Sequence, residues 1–509
     1  MTISPNTPVL VGTAQLTNHR IRDLPLTNRD QPVELMAKVL DLAAADCGGD
    51  DAGRKLLEQA SILCAIQSLA WSYVNPAQLV AKRLAIEPKR LATTTVGGNS
   101  PQMVATYAAK AIQAGQMEVA LVVGADCVYT RRAARKDPTH PALGWTTQPD
   151  DTPPPLMLGT DKEPTTLSEV GVGMDRPARV FPLFENAIRH ARGWSIAEHR
   201  QNIGKLWSSL SSIAAGNPYA WQHRKYSPEE IYEVGENNRM ICFPYTKLLN
   251  ANMQVDQGAA FIMCSLEAAR AAGVPSDRFV FPVAGVDADD HWFVSHRLDL
   301  HKSPAIEIAG HRALELASIS IDDIEYVDLY SCFPSAVQIA ADALGLPVND
   351  PGRPLSVTGG LTFAGGPGNN YVSHSISAMA KILRGKSEAL GLVTGLGWYV
   401  TKHSIGVWSS DPPAAGFRYD NPQEQVNTLP QRPPAPAEGT TGKSLTLETY
   451  TVWHSRDGAP EFGIASYLNG GGRRGWGRIM DADTLSEIEN EEGCGRTAEL
   501  ADSGNIVLT

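Results

Sequence analysis

Apolar residues recur at helical spacing through Met103, Val104, Tyr107, Ala108 and Ile112, and an unbroken apolar run follows from Val119 to Val123. The first pattern predicts a helix with one face packed inward, the second a strand covered on both faces. Between them, Gly115 predicts a helix stop. Ahead of the helix, Gly97 and Gly98 predict a backbone that turns sharply and lets a ligand come close. Ser100 can accept a hydrogen bond from a free first-turn amide, and Pro101 suits the first helical position. The stretch from Thr93 to Asp126 thus reads as loop, helix, turn and buried strand. The amides at such a helix start favour a phosphate, a carboxylate or an oxyanion. A helix that merely packs on a sheet satisfies the same pattern.

Strands are predicted at Pro8 to Thr13 and Ser61 to Gln67, and helices at Val33 to Ala45 and Pro76 to Leu84. This alternation predicts an α/β layer fold. Lys136 to Pro164 is a loop excursion rich in Pro, Thr and Asp, and Ala178 to Asn250 reads as a helical insertion over one end of the sheet. It carries Trp194, Trp207, Tyr219, Trp221 and Tyr245, and such excursions usually shape substrate sites. Strand character returns at Asp256 to Ser265, Phe279 to Val286, Ile324 to Leu329 and Ala389 to Thr394, with helices at Ala305 to Ala317 and Ser335 to Leu344. Gly365 to Gly397 repeats the order of the first stretch: paired glycines, helix, glycine, apolar strand, glycine. Two similar α/β halves are therefore expected. Leu429 to Lys443 reads as a linker. Beyond it, alternation from Leu445 to Trp453, a hairpin signal at Asp457-Gly458, and runs at Gly463 to Leu468 and Gly475 to Met480 predict a small OB-type β-barrel. The acidic tail from Glu487 is expected to fray.

At 509 residues the chain is long enough for two or three folded units, and its net charge of −11 argues against nucleic-acid binding. Its one basic cluster is Arg131, Arg132, Arg135 and Lys136, read either as a solvated helix face or as a contact for a phosphate-bearing cofactor. No leader-like or membrane-spanning run occurs in the sequence. Its seven scattered cysteines show no metal-ligand spacing, so a reducing cytoplasm and no metal are expected.

The two-half repeat, the inserted loop region, the run ANMQVDQGAA and the motif around Cys332 resemble the thiolase superfamily, in particular its sterol-carrier-protein type, over roughly the first 420 residues. The region beyond looks like that of bacterial thiolase-like proteins of the acetyl-CoA acetyltransferase family. The resemblance implies a duplicated five-layered α/β fold with residues 1–268 as the first half, an insertion at about 130–250, and 269–420 as the second half. A linker at 421–443 and an OB-like β-domain at 444–509 complete the expected organisation. In that family a nucleophilic cysteine opens the first-half helix, and its position falls here on Gly98. The histidine of the family's GHP motif falls on Gly366. The HDCF motif reads Tyr330-Ser331-Cys332-Phe333, which loses the histidine and aspartate and keeps the acid/base cysteine. The resemblance and the pattern together make Cys332, Tyr330, His374, His403 and Ser100 the candidates for chemistry. Gly97, Gly98, Asn99, Gly366, Gly395 and Gly397 are the candidates for binding. The expected ligand is CoA or an acyl-CoA, taken as substrate rather than held permanently. Three functions are compatible: an acyltransferase-family protein of lipid metabolism without ordinary thiolase activity, a carbon–carbon lyase, and a non-catalytic acyl-CoA binder. A homodimer and a monomer are both left open.

Overall fold

The computed structural model describes residues 3–137, 143–436 and 440–509, so parts of the predicted loop excursion and linker lie outside the described residues. Strand Val119–Cys127 is buried along all nine residues, as its apolar run predicts. It lies inside a six-stranded mixed sheet in the order Pro8–Thr17, Asp256–Ser265, Val119–Cys127, Ile62–Ala65, Leu91–Thr94, Leu156–Leu158. The first three strands pair antiparallel and the rest parallel. A second sheet has the order Tyr326–Asp328, Leu390–Gly397, Lys402–Ser409, Phe281–Asp289, Arg418–Asp420. Lys402–Ser409 is buried throughout although its sequence, KHSIGVWS, shows neither alternation nor an apolar run.

Helices Ser100–Gln113 and Tyr371–Leu383, each following one of the glycine-rich loops, contact each other and both sheets. Alanines and serines on the two helices, such as Ala105, Ala108, Ser373 and Ser377, allow this close packing. Helix Pro32–Ala45 packs on the first sheet and Pro304–Ala317 on the second. The repeat seen in the sequence thus appears as two α/β units with their loop helices shared between the sheets.

The third sheet has seven strands. Five come from the C-terminal region, in the order Arg474–Ile479, Pro460–Leu468, Ser444–His454, Thr497–Leu500, Ile506–Leu508. Met240–Cys242 and Tyr245–Thr246, from the inserted region, join it through the pairing of Cys242 with Trp453. The strand path is open, and no closed barrel forms among the described residues. Its two end strands, Arg474–Ile479 and Ile506–Leu508, still contact each other, and one isolated bridge joins Arg478 to Asn505. The acidic tail does not fray as expected. Ala498, Leu500 and Ile506 bury one face of its strand pair, and Arg189 grips Glu492 with contacts of 2.5 and 2.8 Å. The buried Arg474 donates to Glu448 at 2.6 Å and to the Ser295 carbonyl at 3.2 Å, tying this sheet to the second α/β unit. No helix among the described residues is long and apolar enough to cross a membrane.

Candidate functional site

The chemistry-bearing stretches meet at a cavity of about 280 Å³. Gly97 and Gly98 form one wall, Tyr330 and Cys332 a second, Gly366 and Gly368 a third, and the inserted region closes it with Arg176 and Phe181. Topology explains the convergence. The loop of Gly97 follows a parallel strand of the first sheet, residues 330–332 follow the first strand of the second, and Gly366 precedes the second central helix.

The first glycine loop is fixed from three sides. The Gly97 amide donates to Asn369 Oδ1 at 2.9 Å. Beneath it, Lys402 Nζ donates to the carbonyls of Val96 at 2.9 Å and Thr160 at 3.1 Å. Burial pushes the Lys402 ammonium below its ordinary range, with Asp289 and Asp161 opposing that shift. Asn99 Nδ2 donates to Ser404 Oγ at 3.2 Å, and Ser404 in turn donates to Asp287 at 2.5 Å. Burial raises the Asp287 carboxyl to about 7, against the lowering effect of the Ser404 bond. The amides of Gly98 and Asn99 have no hydrogen-bond partner among the described residues. They are the free donors that the sequence pattern places at a helix start.

Gly395 and Gly397 do not line this cavity. They back the loop: a Cβ on Gly395 would lie 2.8 Å from Asn99 Cα, and one on Gly397 2.7 Å from Asn99 Oδ1. These positions are glycine because the first loop lies flat on their strand. Ser100 does not fulfil its expected capping role. It is the first helical residue, after the N-cap Asn99, and its hydroxyl donates back to the Thr95 carbonyl at 3.2 Å.

Tyr330 decides the shape of the cavity. A Cβ built on Gly98 would lie 2.1 Å from the Tyr330 hydroxyl oxygen and 2.6 Å from the Leu396 carbonyl. The tyrosine therefore occupies the space a side chain at 98 would need. Its ring meets Tyr371 edge-on at 5.6 Å, and its amide donates to Thr394 Oγ1 at 2.9 Å. No hydrogen bond to its hydroxyl occurs among the described residues. Burial raises this phenol well above its ordinary range and also raises the Cys332 thiol, so both hold their protons at neutral pH. Gly366 has room: a Cβ there would meet nothing nearer than the Asn252 carbonyl at 3.4 Å.

Neither histidine candidate reaches the cavity. His374 is buried in the second central helix with Nδ1 3.0 Å from Gln15 Oε1, and burial lowers its imidazole to about 3. His403 Nε2 lies 3.1 Å from the Val400 carbonyl, with its imidazole lowered by burial to about 4. It shares only a void of about 10 Å³ with Tyr330 and Gly395.

No family model matches this sequence. Over 100% of both chains, the structure is similar to the monomeric SCP2-thiolase-like protein type 1 of Mycobacterium smegmatis, with a TM-score of 0.83 and 29% identity. The chain resembles the thiolase superfamily, and within it the sterol-carrier-protein type. A stretch of 152 residues is 26% identical to the benzoylsuccinyl-CoA thiolase subunit BbsB of Thauera aromatica, covering 30% of this chain and 37% of that protein. The structure also matches an Ltp2–ChsH2(DUF35) aldolase, over 80% of this chain and 99% of that one, with a TM-score of 0.59 and 17% identity, a likeness of fold alone.

In this thiolase-like protein several cavity-forming residues carry no local sequence signal. Phe333 stacks on Phe181 at 4.5 Å and on Tyr245 at 5.7 Å, which sets the position of the neighbouring Cys332. Tyr245 in turn accepts the Ser335 amide at 3.2 Å and contacts the buried Glu185. Trp398 lines the cavity from a left-handed backbone conformation, φ 57°. The run WYVTKHS is the one visible signal for this support, since it contains Trp398, Lys402 and Ser404.

Proposed function

We propose that this thiolase-like protein binds a CoA thioester with its acyl carbonyl at the Gly97–Gly98 loop and does not perform ordinary thiolysis. One observation carries the reading: the Tyr330 hydroxyl fills the side-chain space of residue 98, where the family resemblance puts the acyl-accepting cysteine. Without a nucleophile there, an acyl-enzyme has no route. The position matched to the GHP histidine is Gly366, which supplies no imidazole. What remains is a place for an oxygen anion: the unpaired amides of Gly98 and Asn99 and a protonated phenol beside them. Seven unpaired, buried cysteines support a reducing compartment.

Incubation with acetyl-CoA is expected to leave no acetyl adduct in intact-mass spectra, while calorimetry detects binding. Tyr330→Phe is expected to weaken that binding by roughly two- to tenfold, the effect of one hydrogen bond. A stoichiometric acetyl adduct, or no binding of any CoA species to folded protein, would sink the proposal.

A second reading is a carbon–carbon lyase acting on a β-hydroxyacyl thioester. It is favoured by a phenol and a thiol that both keep their protons in one cavity, and by the fold likeness to an aldolase. Such a cleavage moves one proton from the β-hydroxyl to Cα as the Cα–Cβ bond breaks, with no oxidant or reductant. Release of a shorter acyl-CoA and a carbonyl compound would support it. Binding without turnover of any thioester would leave a non-catalytic acyl-CoA binder.

A further inference from the structure

The seam between the inserted region and the C-terminal sheet brings together a nitrogen, an oxygen and a sulfur donor. His190 lies in the last turn of helix Pro177–Ala191. Glu492 and Cys494 lie between helix Ala482–Ile488 and strand Thr497–Leu500. A ring nitrogen of His190, a carboxylate oxygen of Glu492 and the Cys494 sulfur all lie within 4.8 Å of one another. No other group of three such side chains comes together among the described residues. The sequence shows no metal-ligand spacing here, because the nitrogen comes from one segment and the other two donors from a second, far along the chain.

The surroundings hold these donors in place and leave them available. Glu492 Oε1 accepts from Arg189 at 2.8 Å and from the Cys494 amide at 2.7 Å, which uses both of its lone pairs. Oε2 accepts from Arg189 alone, at 2.5 Å, and keeps its second lone pair. It stands 3.6 Å from His190 Nδ1. That is too long for a hydrogen bond, but close to the edge of about 3.4 Å that two ligands define on a tetrahedral ion. The Cys494 sulfur has only a 4.0 Å contact with the Asn186 carbonyl. Two glycines shape the turn. A Cβ on Gly493 would lie 2.7 Å from Tyr450 Cε1, and Gly495, at φ 82°, faces His190 Cε1 at 3.4 Å from its Cβ position. The Gly495 amide donates to the Leu447 carbonyl at 2.7 Å. The side chains of His190 and Glu492 are 50% and 40% exposed while Cys494 is buried, so an ion can enter from solvent and end on the sulfur.

We infer that His190, Glu492 and Cys494 form a zinc-binding site, with water as the fourth ligand on the exposed side. Thiolate with imidazole selects zinc over magnesium or calcium, which need oxygen ligands throughout. Forming the sulfur–zinc bond breaks the S–H bond and sends its proton to solvent, with no change of oxidation state. Two anionic ligands then balance the dication, and Arg189 remains as the contact that orients the carboxylate. The ion joins the inserted helix to the last segment of the chain, so its binding adds to folding stability.

The test titrates the metal-free full chain with Co²⁺ and Zn²⁺, for the wild type, His190→Ala and Cys494→Ser. His190 is half-exposed, so its removal leaves the core intact. The wild type is expected to bind one equivalent of Co²⁺ with a thiolate-to-cobalt charge-transfer band, to exchange it for Zn²⁺, and to melt at a higher temperature with Zn²⁺ than without. His190→Ala is expected to weaken zinc binding by at least the roughly tenfold that losing a mere supporting contact costs, and Cys494→Ser to abolish the band. Millimolar Mg²⁺ is expected not to compete. A wild type without the band, or a band and affinity that His190→Ala leaves unchanged, would overturn the site, the second outcome placing the metal on another cysteine.

Discussion

Gly98→Cys is expected to destabilise the protein by about 2–4 kcal/mol and to create no acyl-enzyme. The new Cβ would start 2.1 Å from the Tyr330 hydroxyl and 2.6 Å from the Leu396 carbonyl. The phenol could swing aside only by leaving its contact with Tyr371, and the carbonyl belongs to a buried strand that pairs on both sides. Gly366→His is the informative contrast. Its Cβ meets the Asn252 carbonyl at 3.4 Å, an ordinary contact, so it is expected to cost roughly 1 kcal/mol or less. Denaturant unfolding of the two variants, with intact-mass analysis after acetyl-CoA treatment, checks both. A Gly98→Cys protein with wild-type stability and a stoichiometric acetyl group would show that the loop has the family's usual geometry and that Tyr330 does not replace the side chain.

Asp287→Asn is expected to make the protein more stable than wild type at pH 8, by roughly 2–3 kcal/mol, and no more stable at pH 5. Burial raises the folded-state carboxyl from the ordinary range to about 7, with Ser404 donating to it and Asp289 repelling it. Between the unfolded and folded values the native state holds a proton that the unfolded chain releases. This stabilisation is complete below about pH 4 and is lost as pH rises through 7. Asparagine can still accept from Ser404 and has no charge to bury. His374 and His403 act with the opposite sign. Both are held neutral by burial, so their contribution falls as pH drops below the ordinary histidine range. They are present in both proteins and cancel in the difference. Urea unfolding of the pair at pH 5 and pH 8 measures it. A difference independent of pH would mean that Asp287 does not titrate in this range. Because Asp287 supports Asn99 through Ser404, the same variant reports whether the glycine loop needs that charge: weaker thioester binding at pH 8 would show that it does.

The sheet-forming stretches Val119–Cys127 and Asp256–Ser265, the helix Pro76–Leu84 and the repeated glycine–helix–strand unit were legible in the sequence, because each is buried in a way that its own residues record. An apolar run or a period of three to four residues is a local statement about which side faces water. The same logic missed Lys402–Ser409, whose Lys402 and Ser404 are buried with partners that residues 95–99 and 287 supply from far along the chain. It also placed Gly395 and Gly397 beside a ligand, when their missing side chains make room for Asn99.

For this protein, the sequence by itself determined the two-fold α/β plan, the two glycine-rich loops and the residue types at 98, 330, 332 and 366. The tertiary structure alone decided that the Tyr330 hydroxyl stands where a side chain on Gly98 would go, and that Cys332 shares that cavity while His374 and His403 do not. The reason is physical. Periodicity reports burial one element at a time, whereas a site is made where separate elements cross, and the ångström-scale distances between residues hundreds of positions apart are set by how both sheets close on the two central helices.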